Sequence, residues 1–138
     1  SSDVCSSDLI TTINKKHIMK LSKNFNSEEF DSKDIKGTGM MMNIEFIALL
    51  QKARDIAGIP FVINSGFRTT EWNKKVGGKS NSAHTKGLAA DITTNNDRAR
   101  YIILNALILA GFHRIGVYRT FIHCDTDKTL PMRVIWYK

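Results

Sequence analysis

Two amphipathic segments, each ended by a glycine, set the limits on what this chain can fold into. The first runs from Asn43 through IEFIALLQKARDIA to Gly58. Its apolar residues Ile44, Ile47, Leu50 and Ala57 recur at helical spacing. Asn43 stands at the cap position, Gly58 where a C-terminal glycine belongs, and Pro60 blocks continuation. The second, DRARYIILNALILAG, runs from Asp97 near its cap to Gly111 at its end. Around these helices lie short runs rich in β-branched and aromatic residues: FVINSGF (61–67), LAADIT (88–93), RIGVY (114–118), FIHCD (121–125) and RVIWYK (133–138). Each reads as a strand bounded by turn residues. Helices placed before or between short-turned strands predict an α+β fold, a small antiparallel sheet with helices packed on one face.

The smaller pieces fit between these elements. NSEE (26–29) pairs an N-cap Asn with a Glu three residues on and predicts a short helix. DSKDIKGTG (31–39) reads as a loop, and TTEWNKKV (69–76) as a short helix stopped by Gly77 and Gly78. The 138 residues suit one domain with one core. No apolar run approaches the roughly 18 residues of a membrane span.

The opening residues read differently. DVCSSDL (3–9) looks like an in-frame translation of the end of a sequencing adapter, and Met19 begins MKLSKNFNSEEF, which reads like a natural start. The expectation is that residues 1–18 are a non-native, disordered leader and that 19–138 form the single domain. Cys5 falls in that leader, which leaves Cys124 alone and excludes a disulfide scaffold. The charge is basic, 20 Lys and Arg against 13 Asp and Glu, which favours polyanionic surroundings. No dense Lys/Arg run appears, so the patchwork reads as solvated surface and no nucleic-acid partner is expected.

Chemistry gathers in two of the strands. In LAADIT, alternation puts Asp91 and Ala89 on one face and Ala90 and Ile92 on the other, against the core. An Asp in an apolar strand is costly to bury without a charged partner or a metal. His84 precedes Gly87, whose turn can fold it back beside Asp91. FIHCD repeats the pattern, with His123 and Asp125 on one face and Ile122 and Cys124 on the other. Cys124 therefore reads as a small apolar core residue. One helix and one strand separate Asp91 from His123, enough to bring the chain back alongside. Two His and one Asp suit a three-ligand catalytic zinc with a fourth position for water; each His also reads as a hydrogen-bonded structural residue.

SNSAHTKGLAAD (80–91) resembles the S-x-H-x-x-G-x-A-x-D motif of the zinc D-Ala-D-Ala carboxypeptidase and endolysin family, on Ser82, His84, Gly87, Ala89 and Asp91. INSGFRTTEWNKKVGG resembles the family's preceding segment, with Arg68 in its S-G-[YF]-R element, and AGFHRIGVYRTFIHCD its closing one. The pieces stand in the family's order over about residues 24–138, and look most like its small single-domain, often phage-encoded members. The resemblance implies a hedgehog/DD-peptidase-like fold, with His84, Asp91 and His123 binding one Zn²⁺ per chain. It implies hydrolysis of peptidoglycan stem or cross-link peptides, as carboxypeptidase or endopeptidase, by metal-activated water. Arg68 would reach into the cleft to hold a substrate carboxylate or an oxyanion, or else form a structural ion pair. Ser82 would orient His84 or touch substrate, or make a turn hydrogen bond.

One position departs from the pattern. Many members carry Glu or Asp three residues before the last ligand as general base, and here that position is Thr120. Asp125, two residues past His123 on the same face, is the substitute by position. It reads as the base or as a carboxylate orienting His123. Thr120 keeps a second class of function open, a catalytically silent zinc-stabilised wall-binding or virion module. KVGGKSNS (75–82) lacks the full phosphate-loop pattern and reads as a rim of the cleft. His113 reads as exposed; Trp72, Trp136 and Tyr137 read as packing residues, with Trp72 also a candidate for the groove. No charged n-region followed by an apolar h-region is visible in the opening residues, so a secretory signal is not expected. The expectation is a monomer made in the cytoplasm and acting on the cell wall, in keeping with the phage-encoded members it resembles.

Overall fold

A computed structural model describes residues 18–138. The expected leader therefore lies outside the described residues, save for Ile18. Helix α1 spans Ile44–Ala57, strand β1 Ile63–Ser65, helix α2 Thr70–Lys75, strand β2 Ala89–Thr93 and helix α3 Asp97–Ala110. Strands β3 (Arg114–Val117), β4 (Phe121–Asp125) and β5 (Val134–Tyr137) complete the order, with short 3-10 turns at Ser27–Phe30, Thr38–Met41 and Ala83–Lys86. This is the α+β architecture expected from the sequence.

The helix ends follow local chemistry. The Asn43 side chain accepts the Phe46 N–H at 2.9 Å, satisfying one of the orphan donors of the first turn. Gly58 closes α1 at φ 68°, a left-handed conformation that glycine adopts without strain. In α3 the cap is Asn96, which accepts from Ala99 N–H at 2.8 Å, and Gly111 ends the helix at φ 107°. At Ser27–Phe30 the Glu29 carboxylate reaches back to the Asn26 N–H at 2.7 Å, as the sequence pattern predicts.

The stripe that α1 buries differs from the one read in the sequence. Phe46, Ile47, Leu50 and Ala53 face the core, whereas Ile44 is 79% exposed. Ile44 lies on the first turn, on the outer flank of the stripe centred on Phe46 and Leu50. Strand β1 is also shorter than FVINSGF: Phe61 packs in the core before the strand begins.

The sheet order is β1-β2-β4-β3-β5. β1, β2, β4 and β3 pair antiparallel, as expected. β5 is the exception and joins β3 in parallel. The long connection through Leu130 and Pro131 lets the chain travel back before β5 starts, so a tight hairpin does not dictate its direction. α1 and α3 pack on one face, over Ala90, Ile92, Ile115, Ile122 and Cys124. Phe46 meets Phe112 edge-on at 5.9 Å, and Phe25 meets Phe30 at 5.5 Å. Burying each of these phenylalanines contributes roughly 1.5–3 kcal/mol relative to exposure. The other face carries two rows across four strands. Asp91, His123, Gly116 and Trp136 form one; Ala89, Asp125, Arg114 and Val134 form the next. Among the described residues no helix is long and apolar enough to cross a membrane.

Candidate metal centre

The register of β2 and β4 sets Asp91 directly opposite His123. The alternation read in the sequence holds: Ala90, Ile92, Ile122 and Cys124 point into the core, and Asp91, His123 and Asp125 point away. Cys124 is fully buried, and burial pushes its thiol pKa well up, which suits a packing residue.

His84 comes from the 3-10 turn Ala83–Lys86. Ser82 caps it, accepting the His84 N–H at 3.3 Å, and Gly87 ends it at φ 70°. The turn is seated tightly: a Cβ on Gly87 would stand 2.5 Å from the Met41 carbonyl, and the Gly87 carbonyl accepts from Asn43 N–H at 3.0 Å. The chain is thereby turned so that His84 Nε2 lies 3.3 Å from Asp91 Oδ1, while His123 Nδ1 lies 2.9 Å from the same oxygen. One atom from each of His84, Asp91 and His123 falls within 4.8 Å of the others.

The remaining ring nitrogens test whether this set fits a metal. His84 Nδ1 donates to the Gly66 carbonyl at 2.7 Å, which leaves Nε2 as the ring nitrogen facing Asp91. His123 Nε2 donates to Asp125 Oδ2 at 2.7 Å, which turns Nδ1 toward the same point. Ligating histidines are held in this way, their outer nitrogen fixed by a carbonyl or carboxylate. Two imidazole nitrogens and one carboxylate oxygen are the donor set of a three-ligand catalytic zinc. The site therefore fits the ion.

Electrostatics agree with the geometry. Burial opposes charge on His123, but hydrogen bonds to Asp125 and Asp91 outweigh it and raise the pKa to about 9. Burial also opposes charge on Asp91, yet His123 and His84 hold its carboxyl well below the usual carboxylate range. The pocket thus favours positive charge between its carboxylates, which a divalent cation supplies.

Asp125 is 1% exposed and surrounded by donors. Oδ1 accepts from Arg114 Nε at 2.9 Å and from Asp127 N–H at 3.1 Å; Oδ2 accepts from His123. Arg68 lines the same cleft. Its guanidinium donates to Ser65 Oγ at 3.2 Å, Asn73 Oδ1 at 3.3 Å and Asp91 Oδ2 at 3.5 Å, so ion pair and cleft position coexist. Ser82 both makes its turn hydrogen bond and lines the cleft. Thr120 is exposed at the β3–β4 turn, outside the cleft lining; its carbonyl accepts from Thr94 N–H at 2.9 Å.

The cleft holds about 700 Å³. The Gly77–Gly78 loop forms one rim, as the sequence suggests, and Leu130, Pro131 and Trp136 form another. His113 is exposed and Trp72 does not line the cleft. One reading of an aromatic residue is overturned and another is extended. Tyr137 is 88% exposed on the edge strand, and Trp136 lies in the cleft with its ring 5.6 Å from that of His123. Arg114 and Tyr118 are cleft residues that the sequence reading passed over. The alternation of RIGVY was the available signal: Arg114, Gly116 and Tyr118 share the face opposite Ile115 and Val117.

A model of the family described as Peptidase M15 matches residues 17–125, which include His84, Asp91, His123 and Asp125. No curated protein matches the chain.

Proposed function

The chain belongs to the peptidase M15 family, and from that premise we propose that it is a zinc-dependent peptidase of D-Ala-D-Ala carboxypeptidase type. Its substrate is the stem or cross-link peptide of bacterial peptidoglycan, cut as carboxypeptidase or endopeptidase. The observation that carries this reading is the convergence of His84 Nε2, Asp91 Oδ1 and His123 Nδ1 in one cleft beside Arg68. When bound there, one zinc per chain supplies Lewis acidity toward a peptide carbonyl and lowers the pKa of its water.

The protein's own groups divide the remaining work. Asp125 orients His123, because both its oxygens are already engaged by donors. Arg68 uses three of its five donors on Ser65, Asn73 and Asp91, and presents the others to a substrate carboxylate or carbonyl. Ser82 fixes the backbone of His84 and borders the substrate. Hydrolysis of purified peptidoglycan by the zinc-loaded chain tests the proposal. New amino or carboxyl termini are expected, and their absence would overturn it.

One observation favours a second reading, a zinc-stabilised wall-binding or virion module without activity. The cleft's carboxylates, Asp91 and Asp125, are both engaged, and Thr120 stands outside. That reading expects zinc and peptidoglycan binding with no new termini.

A further inference from the structure

Both carboxylates that line the cleft, Asp91 and Asp125, are engaged, but other polar groups line it too. Tyr118 follows β3 on the same face as Arg114 and Gly116. Its N–H donates to the Phe121 carbonyl at 3.0 Å, and its ring lies flat on Phe121, 4.5 Å between centroids at 9°. Trp136 Nε1 donates to the Tyr118 hydroxyl at 3.1 Å. An indole N–H can only donate, so the Tyr118 oxygen is the acceptor and its own hydrogen points elsewhere. Among the described residues no protein group accepts that hydrogen, and Tyr118 lines the cleft with the three His and Asp ligands.

Trp136 is itself held in place. Gly116 lies beneath it, where a Cβ would stand 2.5 Å from the indole, and the Arg114 guanidinium sits 5.1 Å over its ring. Arg114 is in turn pinned by Asp125 and by the Pro131 carbonyl. The phenol is thus fixed on two sides before any substrate arrives. Trp136 itself stands on the last strand, beyond residues 17–125, the span matched by the family model.

We infer that Tyr118 is a catalytic hydrogen-bond donor to the oxyanion that develops on the scissile carbonyl, opposite Arg68. The inference rests on the peptidase reading. A donor aimed in advance at developing charge strengthens as the carbonyl oxygen becomes negative, so it acts on the transition state more than on bound substrate. No proton leaves Tyr118; it donates a hydrogen bond only.

The test compares wild type with Tyr118→Phe in the full zinc-loaded chain. Zinc content, Tm and KM should be little changed, while kcat falls roughly 10²–10³-fold, as for other oxyanion donors. Trp136→Phe, which keeps an aromatic ring but removes the orienting N–H, should lower kcat less. A phosphinate analogue of the cleaved peptide, which carries the oxyanion's charge, gives a readout independent of turnover. Tyr118→Phe should weaken it by about tenfold or more, equivalent to ~1.4 kcal/mol, with a plain peptide ligand unaffected. Wild-type kcat and wild-type phosphinate affinity in Tyr118→Phe would overturn the inference. If wild type cleaves nothing, the peptidase reading fails on its own, and the phosphinate comparison still decides: equal binding by both proteins, or binding by neither, removes Tyr118 from this role.

Discussion

The two faces of the sheet are built from alternate residues of the same strands and obey different rules. On the helix side, Ala90, Ile92, Ile115, Ile122 and Cys124 meet α1 and α3 through apolar contact. That contact is non-directional and scales with buried area. On the other side, Asp91, His123, Asp125 and Arg114 are nearly as well buried, but each is held by named donors and acceptors. The helix side is graded: losing a methyl group loses a methyl group's worth of contact. The site side is closer to all-or-none, because removing one partner strands another charge at depth. The same backbone therefore carries a tolerant face and an intolerant one, one residue apart.

The largest effects that sharpen this contrast come from the three proposed ligands. His84→Ala, Asp91→Ala or His123→Ala should reduce bound zinc from about one per chain to near zero by elemental analysis, and abolish peptidoglycan hydrolysis. A variant that keeps full zinc would break the assignment of that residue. Chelation should have the same effect on wild type. It should also lower Tm reversibly, since an ion present at a thousand times its Kd stabilises the folded state by about 4 kcal/mol.

On the helix side, Leu107→Ala should cost roughly 2–5 kcal/mol in denaturant unfolding while leaving zinc affinity of the folded protein unchanged. A parallel loss of zinc affinity would mean that the two faces are coupled. Next in size is Asp125→Asn, which keeps the shape and removes the charge. Zinc affinity should fall by about 10–100-fold, the usual cost of losing an outer partner of a ligating histidine. Most of kcat should return at saturating zinc. A large kcat loss that saturating zinc does not repair would make Asp125 the general base instead. Smallest of all, Ile122→Val beside His123 should cost only ~0.5–1.5 kcal/mol, with zinc content and turnover preserved.

Much of this molecule was legible residue by residue. The caps at Asn43 and Asn26, the glycine stops at Gly58 and Gly111, and the alternation in LAADIT and FIHCD depend on neighbours along the chain, so the sequence displays them. That His84, Asp91 and His123 could come together around a metal was legible for the same reason, helped by the family resemblance. What went unread depends on distant partners. Ile44 fits a helical spacing, yet which flank of α1 is covered depends on where α3 and the sheet lie. Nothing within RVIWYK announces that β5 runs parallel to β3. Trp136 looked like a packing residue because a strand's own alternation does not say which face meets helices. Arg114 gave no sign of its partner Asp125 until β3 and β4 were in register.

By itself, then, the sequence determined where helices begin and end, which strand residues share a face, and which three side chains can hold a metal. These follow from short-range hydrogen bonding and the periods of helix and strand. Tertiary structure alone decided who stands opposite whom. Strand order and register are set by summed packing across the sheet, because a one-residue slip would turn every side chain to the other face. That register put Asp91 across from His123, and set Gly116 beneath Trp136 so that an indole could hold Tyr118 at the edge of the candidate metal centre.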